Sequence, residues 1–149
     1  PGEFSLPHNI VLTSDKKIIV ADRENFRLQL FTTDGEFIDQ WHIHHPMSVT
    51  EGPDGNIFVG EMGPPRVQEG VRNLGNCVSI LSPDGKVIEK LGDELPGSNP
   101  NQFVAPHGIA VDSKGSVYVA EVAWTYWYSR QDPTPIGEVR SVRKWNRNG

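Results

Sequence analysis

Three short runs in this chain recur in the same order, and that recurrence restricts the fold more than any single motif does. The first marker is Pro7-His8-Asn9-Ile10-Val11-Leu12. It returns as Pro46-Met47-Ser48-Val49-Thr50 and as Pro106-His107-Gly108-Ile109-Ala110-Val111. The second is Ile19-Val20-Ala21-Asp22, then Phe58-Val59-Gly60-Glu61, then Tyr118-Val119-Ala120-Glu121. The third is Leu28-Gln29-Leu30-Phe31 ahead of Asp34-Gly35. It returns as Val78-Ser79-Ile80-Leu81 ahead of Asp84-Gly85, and as Val142-Arg143-Lys144-Trp145 ahead of Asn148-Gly149. A fourth run follows the turn glycine twice, at residues 36–41 and 86–91. Pro7 to Pro46 and Ala21 to Gly60 are both 39 residues, and Pro46 to Pro106 and Gly60 to Ala120 are both 60. Two markers that shift together define a repeat.

The runs are short, β-branched or aromatic, and bounded by Gly, Asp and Asn, which reads as strand, tight turn, strand, loop, strand, Asp-Gly turn, strand. No segment sustains a 3.6-residue apolar period. The chain therefore reads as all-β, with four-stranded antiparallel units repeating about every 40 residues, the pattern of propeller blades. The units span residues 7–45, 46–105 with insertions, and 106–149, the last without a fourth strand. Three blades cannot close a ring that takes about four to eight. The expectation is a partial six-bladed propeller. It would be completed by remaining blades of the same protein, or by a second copy through two-fold symmetry.

Composition narrows the function. Fourteen basic against 19 acidic residues give a net charge of −5, which argues against nucleic acid and against a polybasic membrane anchor. No apolar stretch approaches the 18 residues of a spanning helix. Cys77 is the only cysteine, so an internal disulfide and a Cys-rich zinc module are both excluded.

Within a blade, the loops before the first strand and between the second and third strands lie on one face, here the top. The insertions fall there. Asp22 to Gly35 is 13 residues, whereas Glu61 to Gly85 is 24 and Glu121 to Gly149 is 28. Lengthened loops on one face of a rigid scaffold favour binding at that face. His8 and His107 occupy the same slot at the top of the innermost strand, in alternate blades, and Met47 holds it in the blade between. A third His two blades further round would complete a three-imidazole site with one open position, the arrangement of catalytic zinc. The alternative is a strand-leading turn in which His bonds a backbone carbonyl.

The runs Phe4-Ser5-Leu6-Pro7-His8-Asn9-Ile10 with Val20-Ala21-Asp22-Arg23-Glu24-Asn25 resemble NHL-repeat proteins, as do residues 102–112 with residues 117–121. Within that group the chain is similar to the peptidyl-α-hydroxyglycine α-amidating lyases and their bacterial six-bladed relatives. The resemblance implies a metal-dependent propeller that cleaves a peptidyl-α-hydroxyglycine into a peptide amide and glyoxylate. It implies a divalent metal, zinc, held by His8 and His107, and Arg23 as a catalytic residue that binds a carboxylate or steadies negative charge. The family's third His, a Tyr and a further Arg would lie upstream of Pro1. Gly108 stands where the family's structural calcium takes an Asp, so calcium is not expected.

Other features compete. In the cluster of His42, His44 and His45, His42 and His44 share one face of an extended strand and read either as a metal chelate or as a solvated strand end, and His45, before the Pro rather than after it, is out of register with His8 and His107. Trp124, Tyr126 and Trp127 crowd the third top loop. They form either an aromatic wall for a small-molecule or peptide substrate or a loop packed over the rim. Asp22, Glu61 and Glu121 recur at the end of each second strand, which points to bonding of loop backbone N–H groups. The rival to the lyase is a non-catalytic NHL scaffold that binds protein or glycan through its top face.

Overall fold

A computed structural model describes residues 1–63, 75–93, 95–126, 128–131, 133 and 140–146. Strands form where the repeated runs predict them. β1 (Pro7–Leu12), β2 (Lys17–Asp22), β3 (Arg27–Thr32) and β4 (Phe37–His42) make one sheet in that order. β5 (Pro46–Glu51), β6 (Ile57–Glu61), β7 (Cys77–Leu81) and β8 (Val87–Leu91) make the second. β9 (Pro106–Val111), β10 (Val117–Glu121) and β11 (Val142–Trp145) make the third. Every strand pair is antiparallel. The expected all-β partial propeller is the observed architecture. Short helical turns, α1 (Ala123–Tyr126) and 3₁₀ turns at Arg23–Asn25 and Tyr128–Arg130, follow second strands in the top loops. They are too short to leave a periodic signal in the sequence.

Alternation along each strand explains how the blades stack. One face of the first blade, with Ile19, Ala21, Leu28 and Leu30, packs against Val49, Ile57, Val59 and Leu81 of the second. The opposite face of the second blade, with Phe58, Val78 and Ile80, packs against Val117, Val119 and Phe103. The innermost strands are also linked by side chains. The Val49 N–H donates to Asn9 Oδ1 at 2.9 Å, and the Ile109 N–H donates to Ser48 Oγ at 3.1 Å. Asn9 and Ser48 hold the same repeat position, so each blade offers one acceptor to the next.

Each innermost strand has an irregularity in the same place. Pro7 pairs with Asp22 and Asn9 with Ala21, Pro46 with Glu61 and Ser48 with Gly60, Pro106 with Glu121 and Gly108 with Ala120. One residue is stepped over each time: His8, Met47 or His107. A bulge of this kind re-aims the extra side chain and is a common feature beside functional sites.

Candidate functional site

The three bulges set the geometry at the top of the axis. His8 and His107 come from blades that are not neighbours, yet their ring centroids are 4.8 Å apart and the rings meet edge to face at 77°. Both are half-buried. Met47, fully buried in the bulge between them, turns its carbonyl to His8 Nδ1 at 2.6 Å. A carbonyl oxygen only accepts, so Nδ1 carries the proton and Nε2 of the neutral ring keeps a lone pair. A backbone carbonyl fixing one imidazole nitrogen is how metal-ligating histidines are commonly oriented. His8 thus makes the carbonyl bond of a strand-leading turn, and its ring also lies against that of His107.

Burial holds His107 below the ordinary imidazole range, and the nearby His8 and the Arg23 charge push the same way. That favours the neutral ring. It also puts Arg23, on the turn after β2, within electrostatic reach of His107.

The separation of the two rings is close to that of two imidazoles on one metal. Two imidazoles on one tetrahedral zinc, at about 2.0–2.1 Å each, have centroids roughly 5 Å apart. The observed separation matches that. Among the described residues, no group of three His, Cys, Asp or Glu forms a complete cation site.

Arg23 is held from one side. Its Nε donates to Glu24 Oε1 at 2.8 Å, and its Nη2 lies 2.7 Å from the same oxygen. His45 Nε2 faces that oxygen at 3.2 Å. The Glu24 carboxyl lies below its ordinary range, chiefly through the Arg23 hydrogen bond and against the effect of burial, with His45 adding to the lowering. His45 differs from the solvated strand end that residues 41–46 suggest. It is 2% exposed, has φ of 40°, and turns Nδ1 to the Met62 carbonyl at 3.3 Å. Of its neighbours, His42 is exposed and His44 half-buried, and burial lowers the His44 pKa. Glu24 and His45 are the members of this site that the repeat did not single out. The signal available was adjacency, with Glu24 beside Arg23 and His45 one residue before Pro46.

The third-blade aromatics separate. Trp124 is 46% exposed. Tyr126 turns inward against the buried Met47, Met62 and Ala105, and its hydroxyl donates to the Gly63 carbonyl at 2.9 Å. Trp127 lies outside the described residues.

The repeated carboxylates clamp the backbone leading into each blade. Asp22 Oδ1 accepts from the Ser5 N–H at 2.8 Å, and Glu121 Oε2 accepts from Val104 and Ala105 at 2.6 and 3.1 Å. Gln29, Ser79 and Arg143, at one shared position of the third strand, each donate to the carboxylate of their own blade. Burial opposes the charge on Asp22, but hydrogen bonds from Asn25, Arg27, Ser5 and Gln29 outweigh it and lower its pKa. In Glu61 burial wins over the hydrogen bonds from Ser79, Cys77 and the His44 N–H and the pKa is raised, and among the described residues Oε2 makes no hydrogen bond of ordinary geometry. Cys77 beside it is pushed up to about 12, first by burial and then by Glu61, which makes it a poor nucleophile.

Residues 4–31 match the NHL repeat family. The chain is 34% identical over 133 residues to human NHL repeat-containing protein 3, covering 82% of this chain and 34% of that protein. It is 31% identical over 163 positions to peptidyl-glycine alpha-amidating monooxygenase B of Xenopus laevis, covering 97% of this chain and 16% of that protein. A catalytically inactive virginiamycin B lyase from Staphylococcus aureus, crystallised with quinupristin, superposes with a TM-score of 0.58 at 21% identity. That match covers 81% of this chain and 36% of the lyase and speaks to fold. The chain thus spans about a third or less of the curated relatives it matches.

Proposed function

The chain is a run of NHL repeats folded as β-propeller blades, and on that premise we propose that it forms part of a metal-dependent lyase acting on peptidyl-α-hydroxyglycine. The observation that supports this reading is the pair His8 and His107, re-aimed by matching bulges to a ring separation of 4.8 Å, with the Arg23 charge in reach. His8 and His107 would hold a divalent metal, zinc by the family resemblance. When bound, the metal supplies Lewis acidity, which lowers the pKa of an oxygen placed against it.

The residues of this chain do the rest. The Met47 carbonyl keeps the His8 proton on Nδ1, which would leave the Nε2 lone pair for the metal. Arg23 offers the donors that Glu24 does not occupy to the substrate carboxylate or to the charge that develops on it. The reaction breaks the Cα–N bond. Its hydroxyl oxygen becomes the glyoxylate carbonyl, and the hydroxyl proton is balanced by one gained at the amide nitrogen. Trp124, exposed on the third blade, would border the substrate there.

Further blades, from the same protein or a second copy, would complete the ring. Phe103, three residues before Pro106, is fully buried between blades and stacks on Trp145 at 4.4 Å. Phe4, three residues before Pro7, has the same place on the first blade and is 40% exposed. Another blade face would cover it.

The test is bound metal and glyoxylate release by the protein at its full natural length. His8→Ala combined with His107→Ala should remove about one equivalent of metal and abolish glyoxylate release. Unchanged metal content would end the metal-site reading. Metal retained without any glyoxylate release from the parent protein would favour the scaffold that binds protein or glycan.

A further inference from the structure

We infer that His45, on the segment joining the first blade to the second, is a positioning residue for Arg23, acting through Glu24; its functional meaning rests on the lyase reading above. Three donors converge on one oxygen. Glu24 Oε1 takes Arg23 Nε at 2.8 Å and Nη2 at 2.7 Å, and His45 Nε2 stands 3.2 Å away on another side. An exposed Arg–Glu pair between adjacent residues is ordinarily loose, because two long side chains must be ordered for little gain. Here the carboxylate also meets the buried His45 ring.

The ring is fixed by its backbone. His45 sits at φ 40°, a conformation few non-glycine residues adopt, immediately before Pro46. Its carbonyl accepts from the Met62 N–H at 3.4 Å, and its Nδ1 lies 3.3 Å from the Met62 carbonyl. Phe26, also left-handed at φ 54°, packs against it at 5.6 Å between centroids. The segment between the blades, tied to Met62 of the second, therefore buttresses a residue of the first. Both nitrogens of His45 face acceptors, the Met62 carbonyl and the Glu24 carboxylate. The consequence is that Arg23 presents its remaining N–H groups in one direction rather than sampling several, a preorganisation that binding and catalysis both use.

Two independent readouts test this in the protein at its full natural length, with melting temperature and metal content checked for every variant. The first needs no activity. The Arg23 Nε–H resonance should exchange slowly with solvent in the parent protein and in His45→Gln, which keeps a donor toward Glu24, and at least tenfold faster in His45→Ala. Equally slow exchange in His45→Ala would overturn the inference. The second is a double-mutant cycle on N-benzoyl-α-hydroxyglycine, a carboxylate-bearing substrate. His45→Ala should lower kcat/KM about tenfold or more, His45→Gln should restore most of it, and His45→Ala should add nothing in an Arg23→Ala background. Full additivity there would mark His45 as a general structural residue and reject the positioning role. If Arg23→Ala itself leaves glyoxylate release unchanged, the lyase role of Arg23 fails, and the exchange measurement still decides the positioning role.

Discussion

The same repeat position carries Glu121 in the third blade and Glu61 in the second, and the structure makes one expensive to neutralise and the other not. Glu121 accepts two backbone N–H groups and pairs with Arg143, whose side chain is 3% exposed. Glu121→Gln leaves one acceptor oxygen for three donors and strands a buried guanidinium. Breaking a buried ion pair by removing one partner costs about 3–5 kcal/mol. Arg143 also donates to the Asn99 carbonyl at 2.8 Å, which places the expected loss near the low end, about 3 kcal/mol. Glu61 has no ion pair among the described residues. Among the described residues it accepts from Ser79 through one oxygen, its other oxygen makes no hydrogen bond of ordinary geometry, and the His44 N–H and the Cys77 thiol act on it weakly. Glu61→Gln preserves the Ser79 bond, so its cost should be about 0–1 kcal/mol. Urea unfolding monitored by tryptophan fluorescence measures both. Hydrogen exchange localises the effect: the Val104 and Ala105 amides should open about 100-fold more often in Glu121→Gln, at about 1.4 kcal/mol per factor of ten, and stay unchanged in Glu61→Gln. Equal destabilisation by the two substitutions, or protection retained at Val104 and Ala105, would refute the clamp.

The same carboxylates give pH dependences of opposite sign. Glu61 has a raised pKa in the fold, so its contribution is full below the unfolded pKa and is lost as pH rises through the folded one. The stability of Glu61→Gln relative to the parent should therefore improve between about pH 4 and about pH 7 in thermal melts. Asp22 has a lowered pKa, so its contribution is present above the unfolded pKa and lost as pH falls through the folded one. Asp22→Asn should destabilise more at neutral pH than in acid. Gly35 and Gly85 occupy matching Asp-Gly turns at φ 86° and 83°, but a Cβ at Gly35 meets nothing within 4 Å, and one at Gly85 would lie 2.4 Å from the Trp41 indole. Gly35→Ala should cost about 1 kcal/mol for the backbone alone, and Gly85→Ala about 2–4 kcal/mol, read as the difference in urea midpoints.

What the sequence makes legible follows from which forces are periodic. Strand pairing and blade stacking recur every repeat, so aligning Pro7, Pro46 and Pro106 is enough to align the strands and to place His8, Met47 and His107 in one slot. The bulge that aims those side chains leaves no mark in composition; it shows only as a paired residue on either side of an unpaired one. His45 is hidden for a related reason. Its burial depends on a left-handed backbone and on Met62 and Phe26 from distant segments, whereas its local sequence, three histidines among polar neighbours, looks like a wet strand end. The repeat also conceals where it is broken. Asp22 and Glu121 each find a guanidinium, from Arg27 and Arg143, and Glu61 meets Ser79 instead. Alignment marks these three as equivalent, and charge balance separates them. The carboxylate clamps recur in every blade because they serve the blade. Arg23, Glu24 and His45 occur once, at one blade boundary beside the two facing imidazoles. A buttress that exists in a single copy within a repeat is where a role particular to this molecule is to be sought.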